Sequence, residues 1–216
     1  MEDKGLKIYT MDTEELADTA FYQKCYSSLS ARRQEKADSY HFSADKKLSV
    51  GAGLLLDRGL NEYGLRESEV RIGLGENGKP YLLDYPEIHY NLAHSGNMVL
   101  AVFADTEVGC DIEQIKTADL KVAKRFFCAD EYAYIASLEE EEQAGAFCRI
   151  WTLKESFLKA TGMGMKLPLD SFAFQFSSES LEVTVRQHYD RNHYRFLEYD
   201  FGKYYAAICL KEIVGY

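Results

Sequence analysis

Val108-Gly109-Cys110-Asp111-Ile112-Glu113 alternates apolar and polar positions, the pattern of a strand with one buried face. Residues two apart share a face of a strand. Val108, Cys110 and Ile112 therefore turn into an apolar layer, and Gly109, Asp111 and Glu113 turn the other way. Two carboxylates one strand step apart repel each other unless something positive stands between them. Gly109 leaves room beside them for a ligand or a second backbone. On its own, Asp111-x-Glu113 reads first as the wet face of a half-buried strand, because acidic residues are mostly exposed.

About forty residues further on lies Trp151-Thr152-Leu153-Lys154-Glu155-Ser156-Phe157-Leu158-Lys159. Phe147, Ile150, Trp151, Phe157 and Leu158 recur at helical spacing, and Gly162 supplies a C-terminal stop. Glu155 and Lys159 are four apart and share a face, which by itself predicts an intrahelical ion pair of about 0.2–0.5 kcal/mol. Trp151 reads as core. Taken together, the two stretches offer Asp111, Glu113 and Glu155 with one well-placed lysine and no Cys/His cluster. That set suits a hard, oxygen-loving cation such as Mg²⁺ held against a pyrophosphate. The cation offsets the repulsion between the carboxylates and a polyphosphate and stabilises charge on a leaving phosphate.

The pair of motifs resembles the 4′-phosphopantetheinyl transferases of the surfactin-synthetase type, whose pattern is Gly-x-Asp-x-Glu followed by Trp-x-x-Lys-Glu-x-x-x-Lys. Further stretches agree: Gly78-Lys79-Pro80, Asn91-Leu92-Ala93-His94-Ser95, Arg125-Phe126-Phe127 with Glu131-Tyr132, and Leu167-Pro168-Leu169-Asp170-Ser171-Phe172. The likeness runs from about residue 31 to near the C-terminus. Ala93 stands where the family often has serine, so any hydroxyl contact there is absent. In Ser30-Ala31-Arg32-Arg33-Gln34-Glu35-Lys36 the basic register is loose, with Arg32 and Lys36 as the candidates.

The resemblance implies an α+β fold of two similar halves related by a pseudo-two-fold, each a mostly antiparallel sheet packed by helices, with the active site in the cleft between them. It implies that coenzyme A is held by Arg32, Lys36, Lys79, His94 and Ser95, and Mg²⁺ by Asp111, Glu113 and Glu155. A serine of an apo acyl or peptidyl carrier protein attacks the β-phosphate, and adenosine 3′,5′-bisphosphate leaves. Glu155, or a water it orients, takes the serine proton, and Lys159 holds a phosphate oxygen or donates a proton. Fatty-acid, polyketide and nonribosomal-peptide carriers all fit this reading, and the two-half form implies a monomer. Two other readings use the same residues: a Mg²⁺-dependent hydrolase of nucleotide pyrophosphates, and a non-catalytic coenzyme A-binding module.

Composition bounds these readings. The 216 residues, 46% hydrophobic and 13% aromatic, allow one large domain or two small ones with a substantial core. No run approaches the ~20 apolar residues of a membrane span, and Met1-Glu2-Asp3-Lys4-Gly5 lacks the features of a signal peptide. Cys25, Cys110, Cys128, Cys148 and Cys209 are scattered, without metal-type spacing, and read as small hydrophobes of a reducing cytoplasm. A formal net charge of −10 argues against nucleic acid. An acidic carrier would need a local basic patch. Lys121, Lys124 and Arg125 share a face of a predicted helix over 119–127 and are the candidate dock, or else a solvated helix face.

Periodicity predicts strands at residues 6–10, 71–74, 88–92 and 98–104 and helices at 14–28, from Ser30 to 40, and 45–63. Asn77-Gly78 reads as a tight turn, and Gly51 and Gly53 as close-packing positions. After the acidic strand come helices at 119–127, 130–138 and 142–161, then strands at 172–176, 181–188, 194–199 and 204–210. Asp105-Thr106 divides the halves, giving domains 1–105 and 106–216.

Overall fold

The computed structural model describes residues 5–176 and 183–212. The chain opens with β1 (Lys7–Asp12), followed by α1 (Thr19–Ser27), α2 (Ala31–Asp38) and α3 (Ser43–Asn61). Then come β2 (Ile72–Leu74), β3 (Pro80–Leu82), β4 (His89–Ser95) and β5 (Met98–Ala104). The second half holds β6 (Val108–Gln114), α4 (Leu120–Phe126), α5 (Ala129–Ser137) and α6 (Glu140–Thr161), then β7 (Ala173–Phe176), β8 (Val183–Arg186), β9 (Tyr194–Asp200) and β10 (Tyr204–Lys211).

The fold is α+β, and every strand pairing among the described residues is antiparallel. One three-stranded sheet has the order β1-β5-β4 and another β6-β10-β9, with two hairpins, β2-β3 and β7-β8. The two larger sheets meet where β4 runs beside β6. There, side chains make the bonds that a backbone ladder would otherwise supply: Cys110 N–H donates to Asn91 Oδ1 (2.9 Å) and Gln114 N–H to Ser95 Oγ (3.2 Å). Leu100, Val102 and Ala104 of the first half and Val108, Cys110, Ile112, Ala206 and Ile208 of the second form one buried cluster. The alternation along β6 is as the sequence predicts, with Val108, Cys110 and Ile112 fully buried.

Some elements depart from the expected ones. The helix predicted over 14–28 is broken. A short 3₁₀ turn, Thr13–Ala17, is separated from α1 by Asp18, which is extended and accepts from Phe21 N–H at 2.7 Å. Aspartate is a strong N-cap, and here its capping outweighs helix continuity. Strand β3 has no counterpart among the predicted strands, since it is three residues long and begins at a proline. In the strand predicted over 181–188, Leu181 and Glu182 lie outside the described residues. Gly51 and Gly53 sit where a Cβ would press on Thr13, Val99 and Leu29 at 3.0–3.3 Å, the close packing expected of them.

Candidate active site

Two elements carry the chemistry. β6 presents Asp111 and Glu113, and α6 packs across that face of the strand. Gly109 makes the approach possible: a Cβ there would lie 2.1 Å from Ser156 O and 2.3 Å from Ala160 N. The room beside the carboxylates is therefore filled by the backbone of α6. Gly162, at φ 68°, ends that helix as predicted.

Lys159 does not form the intrahelical pair with Glu155. Its ammonium reaches across to β6, 2.7 Å from Asp111 Oδ1 and 3.1 Å from the Cys110 carbonyl. Asp111 is 6% exposed, and its other oxygen, Oδ2, is buried without a hydrogen-bond partner. Burial above all pushes the Asp111 carboxyl up to about 7, with Glu113 and Glu155 adding to the rise and Lys159 opposing it. Burial, aided by Glu113, also raises Glu155. Burial works against the charge on Lys159, but Asp111 and the other acidic neighbours outweigh it, and its pKa stands above the ordinary lysine value. Glu113 is held from the other half, by the hydroxyl of Ser95, which donates to Oε2 at 2.6 Å. Ser95 thus grips a candidate metal carboxylate.

A cavity of about 400 Å³ opens in the first half, and Arg32, Arg33, Lys36, Tyr40, Ser49 and His94 are among its lining residues. A second, of about 290 Å³, is lined by Glu155, Lys159, Lys79 and Met165. Both share Gly78, Pro80, Asn91 and Leu92, so they are neighbouring parts of one cleft, whose larger part the first half builds and whose smaller part α6 borders. Within a chain of net charge −10 this cleft is basic. Partial burial, then the cations Lys159 and Lys36, lower the His94 pKa and keep the ring neutral at pH 7. Ser49 Oγ and Tyr90 OH are buried at the cavity wall without partners.

The candidates named from the sequence divide here. Arg32, Lys36 and His94 meet at the larger cavity. Arg32 is tied to Glu67 at 2.5 Å, whereas the Lys36 ammonium has no ion-pair partner among the described residues. Arg33 is not among those candidates, yet it is the buried guanidinium of the wall, 8% exposed and 3.5 Å from Glu67. Its spacing from Lys36 and Tyr40, three and seven residues, is the helical signal that marks a shared face. Lys79 lies at the tight turn, where Gly78 has φ 83°. Its ammonium is engaged by Glu107 and by the Ala160 carbonyl (3.1 Å), which straps the β2-β3 hairpin to α6. Asn77 adds a hydrogen bond to the Gly162 carbonyl at 2.9 Å.

Comparison with known proteins places the chain. Residues 107–209 match the model of the 4′-phosphopantetheinyl transferase superfamily, and residues 17–106 match that of the 4′-phosphopantetheinyl transferase N-terminal region. The chain is 32% identical over 206 residues to the 4′-phosphopantetheinyl transferase ffp of Bacillus subtilis, covering 94% of this chain and 92% of that one. It is 30% identical over 206 residues to Sfp of Bacillus subtilis strain 168, with the same coverage of both chains. To psf-1 of Bacillus pumilus it is 35% identical over 159 residues, or 73% of this chain and 68% of that one.

The chain belongs to the 4′-phosphopantetheinyl transferase superfamily.

Among its described residues, no three His, Cys, Asp or Glu side chains in this transferase are grouped as a ready-made metal cage. The donor chemistry nonetheless fits a cation that takes few protein ligands and keeps the rest of its shell for water and phosphate. The orphaned, buried Asp111 Oδ2 is the observation that fits best, because a buried carboxylate oxygen without a partner is costly unless a cation or proton meets it.

The raised carboxyls give the phosphopantetheinyl transferase a pH signature. In EDTA, between pH ~4 and ~7, the folded state holds more protons at Asp111 than the unfolded chain does, so stability falls as pH rises through that window. The displacement from 3.8 to about 7 bounds the effect at about 4 kcal/mol. Thermal unfolding at pH 5 to 8 checks this. The wild type should lose more stability over the range than Asp111→Asn does, and equal slopes would refute the burial effect. The depressed His94 contributes with the opposite sign below pH 6.5 and is common to both proteins.

Proposed function

We propose that the protein transfers 4′-phosphopantetheine from coenzyme A to a serine of an apo carrier protein, with Mg²⁺, releasing adenosine 3′,5′-bisphosphate. The observation that carries this is the junction of a basic cavity, walled by Arg33, Lys36 and His94, with the Asp111–Lys159–Glu155 cluster. The cavity suits the phosphorylated nucleotide, and the cluster stands beside the smaller cavity, where the pyrophosphate would lie. Residues 1–105 then serve coenzyme A, and 106–216 carry the metal carboxylates and the catalytic helix.

Asp111, Glu113 and Glu155 would hold Mg²⁺, which when bound offsets charge on the pyrophosphate and leaving group. Ser95 orients Glu113 for that task. The serine oxygen attacks the β-phosphorus and the bond to the α-phosphate oxygen breaks. The serine proton passes to Glu155, directly or through a water. Glu155 suits the role by position: it lines the smaller cavity, and no hydrogen bond engages its carboxylate among the described residues. Lys159 stays charged and is donor-only, so it offsets negative charge on the phosphates.

Incubation with Mg²⁺, coenzyme A and several apo carriers, followed by intact-mass measurement, tests the reading. The expected result is a gain of one phosphopantetheine that EDTA abolishes. Coenzyme A cleaved without carrier labelling would indicate a hydrolase, and intact coenzyme A a binding module.

The carrier dock is proposed at α4. Lys121, Lys124 and Arg125 are exposed there, and no ion pair engages them among the described residues. Lys121→Glu/Arg125→Glu is expected to raise the apparent KM for an acidic carrier about tenfold at low salt, with the effect fading as salt is added. An unchanged KM would exclude this face.

A further inference from the structure

Lys154 neighbours Glu155 in sequence but faces the other way. It is fully buried, 0% exposed, in the body of the second half. Its three ammonium protons have three acceptors: Glu131 Oε2 at 2.8 Å, the Leu169 carbonyl at 2.8 Å and the Phe172 carbonyl at 2.7 Å. The Phe172 ring centre lies 4.6 Å from the same nitrogen, and those of Phe127 and Phe174 lie further out. Glu131 is itself 4% exposed, and each of its oxygens accepts a backbone N–H, from Cys128 and from Phe174, both at 3.0 Å.

Two side chains thus tie together α6, the start of α5, the 3₁₀ turn Leu169–Ser171 and the first residues of β7. An apolar pair of the same volume would fill the space but would leave the Leu169 and Phe172 carbonyls and the Cys128 and Phe174 N–H groups without these partners. Direction is what the charged pair adds. Apolar contacts tolerate sliding and rotation of a helix, whereas five directed hydrogen bonds do not. The next residue of α6 is Glu155, and Lys159 follows just over one turn later.

We infer that Lys154, with Glu131, is a positioning residue that sets the axial and rotational register of α6, so that Glu155 and Lys159 meet Asp111 and the substrate phosphates. This inference rests on the transferase reading for its kinetic consequence and on geometry alone for its structural one. Removing the pair leaves the nucleotide cavity intact, because that cavity is built by the first half. A displacement of about 1 Å at reacting groups costs on the order of 10²-fold in rate.

The test is the neutral double variant Glu131→Gln/Lys154→Met. It is assayed well below its unfolding midpoint for kcat and for KM of coenzyme A, and by amide hydrogen exchange over residues 155–161. The expected result is a cooperative thermal transition, kcat lower by about 30-fold or more, KM for coenzyme A within about twofold, and exchange over 155–161 faster by about tenfold. Unchanged kcat with unchanged exchange would overturn the inference. So would a double variant that does not fold, which would make the pair a determinant of the fold itself. If the wild type labels no carrier, the functional reading fails, and the exchange measurement still decides the positioning role.

Discussion

Gly109→Ala is expected to lower the unfolding midpoint by about 10 °C and to remove transferase activity from whatever remains folded. The added methyl would sit 2.1 Å from one backbone atom of α6 and 2.3 Å from another, and neither is the flexible end of a side chain. Relief requires α6 to lift off β6 by more than about 1 Å. Overpacking costs about 1–3 kcal/mol where side chains can yield, and at least the upper end applies where backbone must move. For a chain of this size each kcal/mol is worth roughly 2–4 °C. The same shift would carry Lys159 away from Asp111 and break the 2.7 Å contact. Circular dichroism melting decides the matter, and a midpoint within about 2 °C of wild type would show that β6 and α6 separate without cost.

The second large effect is kinetic. Glu155→Gln is expected to lower kcat by about 10³-fold while KM for coenzyme A changes by no more than about threefold and the fold is unaltered. The amide matches the carboxylate in shape but cannot take up the serine proton, and proton transfer by a positioned group contributes about 10²–10⁴-fold. Glu155 is half-buried and no hydrogen bond engages its carboxylate among the described residues, so the substitution leaves the core alone. Steady-state assays with saturating Mg²⁺ make the measurement. Retention of a tenth or more of wild-type kcat would remove Glu155 from proton transfer.

How much of the fold and the site is legible in the chain depends on the reach of each interaction. The buried side of β6 and the extent of α6 can be read because periods of 2 and 3.6 are local properties. The partner of Lys159 cannot. Four-residue spacing points to Glu155, whereas the contact made is to Asp111, 48 residues away. Local spacing puts Arg33 on one helix face with Lys36 and Tyr40 but does not say that this face turns inward. Glu131 and Lys154 each read as ordinary helix residues, and only the packing of α5 on α6 brings them to 2.8 Å. Ser95 stands out by its neighbourhood, but its grip on Glu113 needs the edge-to-edge meeting of two sheets. Asp18 shows the opposite failure, a local cap overriding a hydrophobic pattern that continues through it.

The buried cluster that spans β5, β6 and β10 bears on how the molecule melts. Its apolar residues belong to neither half alone, and the connection from Ala104 to Val108 is too short to act as a hinge. Calorimetry should therefore record one heat-absorption peak, with equal calorimetric and van't Hoff enthalpies. A gene cut between codons 105 and 106 would yield two polypeptides, each exposing a bare sheet face, insoluble apart and recovered only by co-expression.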